Sequence, residues 1–324
     1  MSISRRASAI ALALGSLAAL PLPLGRPLGH LGHLTASSRR PPGHPAVLRP
    51  PAALRPFSRG GRAGIWRPYG RVVRGTAAIY ETTLGLPDNP AGVAGIAWMD
   101  MRLLRARLYS GSLSPGGLMW HYTAPISPHA ARSLVAAFNG GYLLKDSEGG
   151  YYSEDKLVAP LRRGAASLVI YKDGKVALGT WGPGLAMSAE VASVRQNMRL
   201  LVDHGALVPG LSPTDTSVWG SSLGGIANQW RSGLGIMASG ALVYVAGVMN
   251  ILDLARELQH AGAIRAMPLD MNPYWTIFST YRPSTPGGLA GPANGTDLLS
   301  TMEQSPMRFF SPAYNRDFVA LFAA

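Results

Sequence analysis

The sequence predicts an α+β fold: a single domain with a largely antiparallel or mixed β-sheet, several hairpins and a few helices. Three observations predict it. β-rich runs come in pairs around short polar turns, as hairpins do. One amphipathic stretch, residues 250–262, breaks in with a helical period. Regular strand–helix alternation, the mark of a parallel α/β sheet, is not found.

From the N-terminus, residues 1–6 carry Arg5 and Arg6, and residues 7–25 are apolar and uncharged. That is the shape of a signal peptide or membrane anchor over 1–25, and both versions export the body. A retained anchor would keep the two arginines on the cytoplasmic side. Residues 26–64 are rich in Pro, Arg, Gly and His and poor in bulky apolar side chains. This predicts a disordered linker, partly polyproline, whose arginines suit membrane or cell-wall tethering through residues 1–64. The blander reading is a solvated spacer. His30, His33 and His44 are too scattered for a metal site.

The globular domain is expected over 65–324. "DMRLLRARLYSG" alternates from Arg105 to Tyr109 and predicts a strand. Ser127 opens a short helix that leads into "LVAAFNGGY". "SLVIYKDGKVALGTW" predicts a hairpin with a two-residue turn at Asp173-Gly174. "RLLVDHGALV" repeats the pattern around Asp203, His204 and Gly205, and "RSGLGIMASGALVYVAGV" repeats it near Ser239-Gly240. Asn250 then caps a helix with Ile251, Leu254, Ala255 and Leu258 on one face, and Gly262 closes it. The apolar run "AIRAMPLD" predicts a buried strand over 263–269. After Tyr281 come turn residues and an apolar return segment, "RFFSPAYNRDFVALFAA".

The net charge of +13 would suggest nucleic acid if it lay on the folded part. It does not. Residues 1–75 hold 12 Lys and Arg and no acid, while the rest holds 18 basic and 17 acidic residues. The domain is close to neutral, which argues against a nucleic-acid partner. Cysteine is absent, so disulfides and thiolate metal sites are excluded. No cofactor motif, P-loop, nucleophile elbow or paired-His zinc motif is found. No metal is expected, although an oxygen-ligand Ca²⁺ site is not excluded by composition.

The chemistry-bearing stretch is "MPLDMNPYWTIFSTY", residues 267–281. An apolar run delivers one carboxylate, Asp270, to the end of a buried strand, where it can serve as base or nucleophile. Asn272, Tyr274 and Trp275 follow, and rings beside polar groups suit a sugar. The structural alternative is an Asx-turn into Asn-Pro with the rings in the core. "FNGGY" offers Asn139 with Gly140 and Gly141, whose amides could approach an anion closely. "WRSGLGI" offers Arg231 and Ser232, the arginine suited to clamping phosphate or carboxylate. "VRQNMRLLVDHG" offers Arg195, Asn197, Asp203 and His204.

The order of these segments resembles the phosphodiester glycosidase family, whose domain occurs in the enzyme that uncovers mannose 6-phosphate. "AFNGGYL", a Lys-Asp-Gly hairpin, "RSGLGI", the helix "LDLARELQHAGAIRA" and "PLD" carry the resemblance, over roughly residues 95–282. The chain looks like a divergent exported bacterial branch. The resemblance implies that Asn139, Gly140 and Gly141 match the family's Asn-Gly-Gly turn, Arg231 its strand arginine, and Asp270 the aspartate of Leu-Asp-Gly-Gly-Gly-Ser. After Asp270 the chain departs, with Met271, Asn272 and Pro273 where glycines would stand. Proline has no N–H to offer a phosphate.

The expected function is an exported, extracellular or envelope-associated hydrolase. It would act at the anomeric carbon of a glycosyl phosphodiester or related envelope glycoconjugate. Asp270, Arg231 and Asn139 form the expected catalytic set. Gly140, Gly141, Ser232, Asn272, Tyr274 and Trp275 would contact a carbohydrate or sugar-phosphate substrate. Ordinary glycoside hydrolysis uses two carboxylates; Asp203 and Glu154 are the candidates for the second. The alternative is a glycan- or wall-binding module on the same fold without chemistry.

Overall fold

The computed structural model describes residues 47–89, 91–117, 119–147, 149–219 and 227–324. The expected signal or anchor, and the linker up to residue 46, lie outside the described residues. Three sheets make up the body. The first has eight strands, in the order Arg67–Val73, Thr76–Gly85, Val93–Met99, Leu242–Met249, Gln229–Ile236, Arg265–Pro268, Val202–Asp203 and Ala206–Leu207. The second has five: Lys156–Ala159, Tyr151–Ser153, Val191–Gln196, Ala166–Tyr171 and Val176–Thr180. The third also has five: Gly295–Asp297, Phe278–Tyr281, Leu134–Asn139, Phe318–Ala323 and Leu104–Tyr109. Every pairing within these sheets is antiparallel, as the hairpin spacing predicts.

Side-chain alternation builds the layers. On Leu242–Met249, Val243 and Val245 face one way and pack with Leu254 and Leu258 of the helix Ile251–His260. Leu242, Tyr244 and Ala246 face the other way, onto Phe138, Phe278 and Leu321 of the third sheet. A strand covered on both faces needs an unbroken apolar run, which "ALVYVAGVM" provides. The helix starts where Asn250 accepts the Asp253 amide at 2.9 Å and stops before Gly262, at φ +95°. Among the described residues no helix is long and apolar enough to cross a membrane.

Two turn chemistries exchange places. The Tyr171–Lys175 hairpin closes over three residues, with only Gly174 left-handed at φ +78°. The expected two-residue turn at Asp173-Gly174 is therefore corrected to a type I turn followed by a glycine bulge. The two-residue turn with both centres at positive φ occurs instead at His204-Gly205.

The linker expectation is also corrected for its last part. Leu54 pairs with Gly64 and is buried, and the Leu48 amide donates to Asp100 at 2.8 Å. His260 Nε2 lies 2.8 Å from the Arg55 carbonyl oxygen, and the rings of Phe57 and His260 are 4.6 Å apart. Residues 47–64 thus dock on the domain near the helix Ile251–His260. Leu48, Leu54 and Trp66 supply apolar contacts that an average over a proline- and arginine-rich stretch conceals.

The tail after Tyr281 returns as predicted, and it does so as an interior strand of a sheet. Phe318–Ala323 lies between Leu104–Tyr109 and Leu134–Asn139. Phe318 pairs with Asn139, so the residues just before Phe318 arrive beside the Asn-Gly-Gly turn.

Candidate functional site

Three sequence-distant segments meet where the first and third sheets adjoin. The Ser232 amide donates to the Asp270 carbonyl at 2.8 Å, and the Leu269 amide donates to Ser232 at 2.8 Å. Asn139 Nδ2 donates to Ser232 Oγ at 3.1 Å. Asn139 Oδ1 accepts from the Tyr244 hydroxyl at 2.8 Å and from the Ile277 amide at 3.3 Å. Asn139, Ser232 and the Asp270 backbone therefore form one buried network, and the Asn139 side chain is spent on holding strands together.

Asp270 is 3% exposed. Its Oδ1 accepts the Met271 and Asn272 amides at 2.8 and 3.0 Å, and its Oδ2 accepts from Arg316 at 2.8 Å. The bond to the Asn272 amide is an Asx-turn, so the structural reading of this aspartate is present in the geometry. Burial raises its pKa to about 6, against the opposing pull of Arg316 and the two amides. At neutral pH it is predominantly a carboxylate held by three donors, with lone-pair capacity left on both oxygens.

Arg231 is 3% exposed and donates through Nε to the Met249 carbonyl at 3.2 Å. Its Nη1 is buried with no hydrogen-bond partner, and no carboxylate ion-pairs with it among the described residues. Burial lowers its pKa, and the Tyr142 phenol beside it acts in the other direction. Tyr142 in turn senses Arg231 and Asp270, so the two sequence candidates share one electrostatic neighbourhood.

Behind the Asn-Gly-Gly turn stands a second ion pair that sequence reading missed. Arg195 Nε donates to Asp317 Oδ2 at 2.8 Å, and its Nη2 donates to the Tyr142 carbonyl. The Gly140 amide donates to the Asp317 carbonyl at 3.0 Å. A Cβ on Gly140 would lie 2.0 Å from Asp317 Oδ2, and one on Gly141 would lie 3.1 Å from Arg195 Nη2. The glycines admit the buried Arg195–Asp317 pair against the backbone, and at Gly140 the amide has no donor left for an anion. Asn197 belongs to the same scaffold, donating to the Pro268 and Leu269 carbonyls at 2.6 and 2.7 Å.

The residues after Asp270 form the rim. Asn272 Oδ1 accepts the Tyr274 amide at 2.9 Å, and the Tyr274 ring is 60% exposed. The Trp275 ring is covered by charge: Arg316 and Arg308 place their guanidinium carbons 4.7 and 4.8 Å from its centroid. Asp203 and Glu154 are not brought to Asp270. Asp203 pairs with Arg265 at 3.3 Å beside the His204 turn. Glu154 accepts the His121 and Tyr122 amides and lines a separate cleft of about 870 Å³ with Arg107, Tyr122 and Tyr171. Among the described residues no group of three or more His, Asp or Glu side chains is placed to hold a metal ion.

The missed residues had a signal. "NRDF" puts Arg316 and Asp317 directly before an apolar strand, the same grammar that singled out Asp270 after one.

No family model matches the chain, and no curated protein does. Similar solved structures include the catalytic domain of zebrafish N-acetylglucosamine-1-phosphodiester alpha-N-acetylglucosaminidase, at TM-score 0.46 and 14% identity over 80% of this chain and 88% of that one. A Synechocystis protein gives TM-score 0.42 and 14% identity over 80% and 64% of the two chains. A protein from Burkholderia pseudomallei described as exported gives 0.30 and 11% over 71% and 74%. These are distant likenesses of fold alone.

Proposed function

We propose that this protein is an exported hydrolase that cleaves at the anomeric carbon of a glycosyl phosphodiester or a related envelope glycoconjugate. One observation carries the reading. Arg195, Arg231 and Arg316 are buried guanidiniums, whereas among the described residues only two buried carboxylates, Asp270 and Asp317, ion-pair in their midst. Arg316 and Arg195 use those two, and Arg231 is left over. A desolvated cation without a counter-ion is costly unless a ligand supplies the charge, and a phosphodiester supplies it.

Arg231 holds the phosphate oxygens in this reading. Asp270, ionised above about pH 6, attacks the anomeric carbon or takes a proton from the attacking water. A phosphate ester leaves as a weak base, so the departure of the leaving group does not depend on a second carboxylic acid. Asn139 and Ser232 fix the strand ends that carry Asp270.

The full chain would be assayed on chromogenic sugar phosphodiesters. Asp270→Asn is expected to lower kcat by about 10³-fold or more in protein that still folds, at some cost in stability because Arg316 loses its counter-ion. Wild-type turnover should rise with pH through about 6 as Asp270 loses its proton. Unchanged turnover in folded Asp270→Asn would overturn the proposal. The glycan-binding module remains as a second reading, favoured by the three donors already on Asp270. Binding of wall glycans without turnover over a broad substrate panel would select it.

A further inference from the structure

Trp275 leads to a second unmatched cation. Of the two guanidiniums on its ring, Arg316 is engaged by Asp270. Arg308 is not engaged by any acid among the described residues. It stacks on Trp275 and on Tyr314, 5.0 Å from the latter's centroid, and has no carboxylate partner among the described residues. Its Nε is buried without a hydrogen-bond partner. Two further buried atoms alongside are equally unpartnered, the Tyr314 hydroxyl and Asn315 Oδ1. Tyr314 is 3% exposed and feels the charges of Arg316, Asp317, Arg308 and Asp270.

A guanidinium lying over aromatic rings is held in place by them without using up its N–H donors, which pre-organises it for an oxyanion. Nearby, the buried Tyr314 hydroxyl adds a neutral donor with nothing to donate to. Because both arginines touch one indole, their separation is bounded by two ring-to-cation distances. That upper bound is a span that a hexose with its anomeric carbon at Asp270 and an anion on its far side can cover.

We infer that the site takes a doubly anionic sugar: besides the anomeric phosphate, the ligand carries a second oxyanion, phosphate or carboxylate, bound by Arg308 with the Tyr314 hydroxyl. The inference rests on the reading of Arg231 and Asp270 given above and adds a substrate class to it. The departure after Asp270 fits such a ligand. Trp275 serves as the plate that sets Arg308 in place, and an uncharged sugar face is not its partner.

Calorimetric titration of the full chain would compare glucose 1-phosphate, glucose 1,6-bisphosphate and glucuronic acid 1-phosphate. The wild type is expected to bind the bisphosphate at least about tenfold more tightly than the monophosphate. Arg308→Gln should bring that ratio close to one while leaving the monophosphate affinity unchanged. Arg107→Gln, a cation of the separate cleft, should leave the ratio intact and so exclude a general charge effect. A preference for the glucuronate over the bisphosphate would assign the second anion to a carboxylate, and the reverse to a phosphate. A wild-type ratio near one, or a ratio that survives in folded Arg308→Gln, overturns the second subsite alone. No monophosphate binding, or binding untouched by Arg231→Gln, overturns the function reading beneath it.

Discussion

Asp270 and Glu257 are both buried carboxyl groups, 3% and 0% exposed, and the protein treats them in opposite ways. Asp270 receives two amides and Arg316. Glu257, on the helix Ile251–His260, has no hydrogen-bond partner on either oxygen. Burial and the neighbouring Asp253 push its pKa to about 8, whereas Asp270 is held at about 6. Desolvation beside another acid makes a carboxyl group neutral at physiological pH, whereas added donors keep one charged. Of these two, Asp270 is the one that can meet a substrate as an anion.

The largest effect should come from erasing that difference. Arg316→Met leaves Asp270 with backbone amides only and turns it toward the condition of Glu257. The raised pKa of Asp270 means that its favourable contribution is complete below about 4 and is lost as pH rises through about 6. Without Arg316 the loss deepens and extends to higher pH. The variant should be less stable by about 3–5 kcal/mol at pH 8. The deficit should shrink at pH 5, where the carboxyl can protonate. Urea denaturation at the two pH values measures both. An equal deficit at both would mean that Arg316 acts by packing and not by charge.

How much of this could be read in the sequence follows from the kind of signal each part leaves. Alternation and turn residues are local, so the hairpins at 166–180 and 229–249 and the helix after Asn250 were legible. The strand ending at Asp270 was legible because apolar residues surround one charge. Asn139, Arg231 and Asp270 were each found as polar residues next to buried runs. Their partners were not found. Nothing local says that Arg316 faces Asp270 across 46 positions, or that Gly140 is small because Asp317 passes 2.0 Å from where its Cβ would be. The glycines read as a ligand nest for that reason. Residues 47–64 were misread because a few apolar anchors disappear in an average dominated by proline and arginine.

Glu257 provides the opposite test, of intermediate size. Glu257→Met replaces two unpartnered oxygens by an apolar side chain of similar length. The wild-type group has its pKa raised from 4.5 to about 8, so stability is complete below 4.5 and declines as pH rises through 8. The variant should be more stable by about 2 kcal/mol at pH 9 and by less than about 1 kcal/mol at pH 4. Thermal melts at the two pH values would show it. A destabilised variant at pH 9 would mean that Glu257 has a partner when ionised, and the contrast with Asp270 would fall.

The smallest effect is expected at the rim. Tyr274 stands four residues from Asp270, but its ring is 60% exposed and only its backbone amide, bonded to Asn272, is tied into the turn. Tyr274→Ala should leave stability within about 0.5 kcal/mol. If the ring touches the sugar in ground state and transition state alike, KM should rise about two- to fivefold with kcat unchanged. Steady-state kinetics on the same phosphodiester separates the two constants. A fall in kcat would place the tyrosine among the groups that act on the reacting bond, and the boundary between the charged interior around Asp270 and its aromatic edge would have to be redrawn.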